Sequence, residues 1–173
     1  MSTTTTTTTT SPDQLARAGV IAIEAYFSAR GLTPVSAGDG RFTVYVPGGS
    51  GTQDLQLGLA STPAARGILV RLKARRTVAQ AHWPKALLLA NQWNRSSPLP
   101  QVVLAARGSG SAATGFLFVE GFLPPSSEPD PDQLTRFIDT AVAGARQFWS
   151  SAAVRDLTTP LPTAAPPAAA DQQ

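Results

Sequence analysis

The sequence contains no cysteine and a single histidine, His82. Without cysteine there is no disulfide framework, no thiolate nucleophile and no zinc site built on sulfur. A lone histidine cannot supply the several ligands of a histidine metal site, and any hydrolytic triad would have to use it. No G-x-S-x-G turn is present to hold a nucleophilic serine. His82 stands beside Trp83 with no acidic residue within several positions, so it reads as a structural or surface residue. No metal or other cofactor is expected, and no enzymatic activity. Charge is scarce as well: 14% of residues are charged and the net charge is +3. A chain so sparsely basic is not a polycation, which argues against nucleic acid as the first choice of partner. No apolar run approaches the roughly 18 to 20 residues that cross a bilayer. The N-terminus lacks the charged and apolar segments of a signal peptide. A cytoplasmic protein without a membrane partner is the expectation.

What is present divides into a central domain and two low-complexity ends. Thr3 to Thr10 is an unbroken threonine run, and the chain closes on DLTTPLPTAAPPAAADQQ. Neither end can bury enough apolar surface to offset its ordering entropy. The composition therefore predicts disordered tails over 1–10 and 155–173 and a single domain over 11–154. A core of about 140 residues can bury about two-thirds of its unfolded surface. Twelve arginines against two lysines, with abundant alanine, read as a codon bias without mechanism.

Within the domain, Ser11 and Pro12 open a helix to Arg30, with Val20, Ile23 and Phe27 on one stripe and Gly31 as its stop. Val35 to Ala37 and Arg41 to Val46 flank Gly38-Asp39-Gly40, which reads as a β-hairpin. Leu55, Leu57 and Leu59 alternate as a strand, and another runs from Ile68 to Arg75. Pro84 to Arg95 forms a second helix, preceded by a short turn where Thr77 and Gln80 have capping-box spacing. Gln101 to Arg107 and Thr114 to Leu123 are strands around a glycine-serine loop. The second of them, containing GFLFVEGFL, is apolar on both faces except for Glu120 and predicts a central strand or a covered edge. A buried carboxylate needs a partner, and an arginine on a neighbouring strand is expected for Glu120. Asp130 and Pro131 open the last helix, whose stripe runs from Leu134 to Phe148 and Trp149. Hairpin connections make this an α+β fold: a twisted antiparallel sheet with helices packed on it, in the order α-β-β-β-(β)-α-β-β-α.

The stretch Ala90-Asn91-Gln92-Trp93-Asn94-Arg95, with the basic strand GILVRLKARR before it and a Pro-Asp-capped helix ending in Phe148-Trp149 after it, resembles the YbjN family in its actinobacterial type. The resemblance covers about Ser11 to Ala153. It implies a fold similar to the type III secretion chaperones, often homodimeric, and a chaperone-like or regulatory module with a protein client. Ser-Pro-Leu-Pro-Gln follows the motif where relatives often carry an aromatic, a proline and a lysine.

Three basic residues, Arg71, Lys73 and Arg75, share one strand face at period two, with Arg66 and Arg76 nearby. They are the candidate surface for an acidic protein partner, with nucleic acid second, because this strand carries no aromatic for stacking. Trp93 reads as core or as an interface anchor. Asn91 and Asn94, at i and i+3, are expected to pin the turn from Arg95 to Pro100. Gly48-Gly49-Ser50-Gly51 and Gly108-Ser109-Gly110 imitate phosphate-cradling loops, but no Lys-Ser/Thr follows either.

Overall fold

A computed structural model describes residues 11–48, 54–64, 67–97, 99–110, 113–126 and 128–161. The expected N-terminal tail over 1–10, residues 162–173 of the expected C-terminal tail, Arg66, Pro98, Ser111 and residues 49–51 of the first glycine loop lie outside the described residues.

Helix α1 (Pro12–Ala29) begins with a full capping box: Gln14 N–H donates to the Ser11 hydroxyl, and Ser11 N–H donates to the Gln14 side chain. It ends in a Schellman motif. Gly31 takes φ +61°, and the Leu32 and Gly31 amides donate to the carbonyls of Phe27 and Ser28. The hairpin follows as β1 (Val35–Gly38) and β2 (Arg41–Val46). Asp39 and Gly40 turn it with φ of 50° and 69°, the positive angles such a pair supplies. Next come β3 (Leu55–Thr62), β4 (Gly67–Ala74), β5 (Arg76–Ala79), a 3-10 turn over Gln80–His82 and α2 (Trp83–Ser96). Strands β6 (Gln101–Arg107) and β7 (Thr114–Leu123) have the bounds expected from their pattern. Helix α3 (Pro131–Ser150) is capped by Asp130, which accepts from the Asp132 amide.

The sheet is antiparallel throughout, ordered β1-β2-β3-β4-β7, with β6 on the far side of β7. Strands β2, β3, β4 and β7 alternate in burial along most of their length. Leu55, Leu57, Val70, Leu72, Leu117 and Val119 point to one face and are buried. All the helices meet that face: Ile23 and Phe27 of α1, Ala86 and Ala90 of α2, and Ile138 and Phe148 of α3 close a single core.

Two elements depart from the expected order. The basic strand is broken. β4 pairs β7 as far as Leu72 opposite Val119, and β5 resumes with Val78 opposite Gly115. Residues 73–77 thus oppose only 116–118, and the bulge falls at Arg75. Such a break sharpens twist locally and re-aims the strand. Thr77 lies in β5 rather than capping a turn. The folded chain also continues past Val154, the boundary that composition predicted. Helix α4 (Ala152–Leu157) buries Val154 completely, and β8 (Thr159–Pro160) pairs with β5. Arg76 clamps this segment by donating to the Thr158 hydroxyl and to the carbonyls of Thr158 and Arg155. The Leu161 amide donates to the Arg75 carbonyl at 2.8 Å. Two buried side chains, Val154 and Thr158, and a set of hydrogen bonds hold the segment, and neither leaves a periodic pattern in the sequence.

Candidate binding surfaces

The second face of the sheet has no helix packed on it among the described residues, and it carries the basic residues singled out in β4. The register sets Arg71 opposite Glu120 on β7, and the two form an ion pair at 2.6 Å, the partner expected for that carboxylate. Beside it, Phe116 and Phe118 of β7 stand half-buried on the same face. The Arg71 guanidinium lies 4.9 Å from the centre of the Phe118 ring. The Lys73 ammonium lies 5.8 Å from Phe116 and 5.9 Å from Phe118. Arg107 reaches the face from β6, where it pairs in register with Thr114. Burial holds the Lys73 pKa below the ordinary lysine value, and the charges of Arg107 and Arg71 lower it further.

β4 alone carries no aromatic, but its neighbour β7 brings three to the same face. Phe122 completes the row at 44% exposure. The signal was present in the sequence as the even positions 116, 118 and 122 of a strand apolar on both faces. Arg75 follows the end of β4 at Ala74 and lies exposed in the break.

Trp93 lies on the opposite, helix-covered side. Its indole N–H donates to the Pro100 carbonyl at 3.1 Å, and its ring meets Phe148 edge-on. It packs the core and fixes the loop before β6. Asn94 completes the same task in a specific way. Its side-chain amide accepts from the Val102 N–H at 2.7 Å and donates to the Val102 carbonyl at 3.0 Å. The side chain thus pairs with the outer edge of β6 as one residue of a neighbouring strand would. Asn91 is exposed and makes no such bond. His82 is exposed at the start of α2, and no cluster of three or more histidine or carboxylate groups occurs among the described residues.

A groove of about 690 Å³ runs between α1 and the turns that end β1 and β3. Ser61 builds its floor. That residue is 2% exposed, its hydroxyl donates to the Ala16 carbonyl and its amide donates to the Gly40 carbonyl. Gly19 of α1 lies so close to Ser61 that a Cβ would overlap its hydroxyl. Val20, Ile21 and Pro63 give the walls an apolar character, and Asp13, Arg17 and Arg41 line it as well. Ile21, off the core stripe of α1, is 66% exposed. A second, smaller groove of about 220 Å³ lies against α3, lined by Leu99, Pro100 and Phe137.

Several solved chains share the fold. The "Crystal structure of YbjN, a putative transcription regulator from E. coli" matches with a TM-score of 0.57 at 13% identity, over 82% of this chain and 96% of that one. The chaperone–effector complex "Structure of the HopA1-SchA Chaperone-Effector Complex" matches with a TM-score of 0.52 at 10% identity, over 83% of this chain and all of that one. At such identities the likeness shows fold alone, and the fold is the chaperone-like one that the sequence resemblance implied. Among curated proteins none matches the sequence. The family model described as "YbjN: Putative bacterial sensory transduction regulator" matches residues 20–151, well over half of the chain, and the chain therefore belongs to the YbjN family.

Proposed function

We propose that this chain is a non-enzymatic protein-binding module, chaperone-like or regulatory, that takes an extended segment of a client protein in the groove along α1. The observation that carries the reading is the groove itself: an apolar wall with an isoleucine 66% exposed, beside a floor fixed by the buried Ser61. A contiguous apolar wall of Val20, Ile21 and Pro63 beside a fixed floor is the kind of surface that partner proteins cover. Family membership and the likeness to a chaperone fold support the same reading, and neither names the client. Charged side chains at the groove give an extended client polar contacts around one buried apolar residue.

The protein acts as a homodimer in this reading, and β6 offers the contact. The Val102 N–H and C=O point away from β7, where Asn94 takes them. By alternation the outward groups further along β6 are those of Leu104 and Ala106. Two copies related by a two-fold axis through Ala105 would join them by four backbone hydrogen bonds.

The test is capture from the native cytoplasm by the tagged protein, with and without nuclease, alongside an Ile21→Asp variant. A protein recovered at stoichiometric yield by the wild type in both conditions, and lost with Ile21→Asp, supports the groove. Equal recovery by the variant rules it out. Ile21 is exposed, so the substitution leaves the core untouched.

A further inference from the structure

We propose that the open face of the sheet is a binding surface for single-stranded nucleic acid, with bases lying on Phe116 and Phe118 and the phosphates held by Lys73 and Arg107. This goes beyond the client-binding reading and uses the other side of the sheet from α1.

The charge on this face is unbalanced in one direction. Glu120 is neutralised by Arg71 at 2.6 Å. Lys73 and Arg107 have no ion-pair partner among the described residues. They stand close enough to each other that Arg107 depresses the protonation of Lys73. The Phe116 and Phe118 rings attract Lys73 as a cation–π contact, but the Arg107 charge still opposes it, and an anion placed between the two cations relieves that repulsion.

The rings decide which anion. Phe116 and Phe118 are two positions apart on one strand, so they stand about 7 Å from each other. That separation lets each take its own base. The Lys73 ammonium is almost equidistant from the two ring centres, at 5.8 and 5.9 Å. The phosphate joining two bases seated on those rings would therefore meet it. Single strands bind sheets in this manner, by stacking on aromatics within a basic surface. A duplex has its bases stacked inside and could use only the cations. An acidic peptide would satisfy the cations too, but the apolar grooves that could seat its side chains lie elsewhere, against α1 and α3.

The experiment is fluorescence anisotropy of the full chain with labelled dT12, U12 and a 12-base-pair duplex, each at 50 and 200 mM salt. Single strands should bind at least tenfold more tightly than the duplex. Lys73→Gln with Arg107→Gln should lower the log–log salt slope by about 1.4, at about 0.7 per phosphate contact on a single strand. Phe116→Leu with Phe118→Leu keeps the apolar area and removes the stacking planes; affinity should fall at least tenfold, since each stacked base contributes about 1–3 kcal/mol. Far-UV circular dichroism of both variants confirms that they remain folded, and Phe→Tyr at the same two positions should restore binding. Ile21→Asp should bind the single strands as the wild type does. No binding of either single strand overturns the proposal. So does equal binding of the duplex, or unchanged binding by the leucine variant, which would leave only a polyanion patch. Full displacement of dT12 by poly-glutamate at matched charge would also overturn it, and would assign the face to acidic proteins.

Discussion

Replacing Asn94 by alanine tests whether a single side chain closes the outer edge of β6. The substitution removes a donor and an acceptor together, leaving the Val102 N–H and C=O without the partners at 2.7 and 3.0 Å. Both bonds are partly buried, so water replaces them only in part. A net hydrogen bond contributes about 0.5–1.5 kcal/mol, and an unsatisfied buried group costs about 1–3 kcal/mol. Two half-shielded bonds therefore sum to about 2 kcal/mol, close to a thirtyfold change in the folding equilibrium. For a domain of this size that is about 4–8 °C in Tm. Asn94→Asp sharpens the test. Its carboxylate still accepts from the Val102 N–H but faces the Val102 carbonyl without a proton, so the folded state raises the pKa of that carboxyl. Protonation restores the missing donor. Stability of the aspartate variant should therefore recover as pH falls through the raised pKa, in the opposite sense to a carboxylate held by a cation. Urea unfolding followed by circular dichroism gives both numbers, with Asn91→Ala, exposed and one turn earlier, as control within about 0.5 kcal/mol of wild type. An Asn94→Ala variant as stable as that control would refute the strand-pairing role.

Gly19→Ala should destabilise by about 1–3 kcal/mol, because the new Cβ overlaps Ser61; an exposed helical glycine would give the opposite sign, and thermal melts read the difference. Ala106→Pro removes an outward N–H without touching the ladder to β7, so light scattering should report a monomer with an unchanged fold; a persisting dimer places the contact elsewhere. Arg76→Ala deletes three bonds to residues 155–158, and hydrogen exchange at Leu161 should accelerate about tenfold while the amides of β3 keep their protection.

The fold was legible wherever one element made its own pattern. The capping residues Ser11 and Asp130, the stop at Gly31 and the Asp39-Gly40 turn act locally, and each appears where the sequence placed it. The long alternation in β6 and β7 fixed both strands to the residue. Short elements sustained by others were not legible. Residues 76–79 are a strand because β7 and β8 flank them, and Thr77 offered a capping spacing that tertiary pairing overrode. Helix α4 contributes one buried side chain, Val154, too little for a period. Of the candidate residues, Arg71 and Lys73 share a face as alternation required, and Arg75 lies exposed in the break between β4 and β5. Trp93 belongs to the loop it holds rather than to that face. Phe116 and Phe118 were visible as apolar residues, but which face of β7 the helices would leave bare depends on where α1, α2 and α3 dock.

The C-terminal segment makes the molecule mechanically directional. A pull on that end, such as a processive unfoldase applies, first meets the two residue pairs of β8 and β5 and the Arg76 clamp. They sit at the margin of the sheet and open in sequence, like a zip. Only then does α4 come free and draw Val154 out of the core. A pull on α1 instead loads Ile23 and Phe27 at once, against β2, β3 and α3. The protein should resist capture from its N-terminal side and yield from its C-terminal side, where its Pro/Ala-rich extension begins.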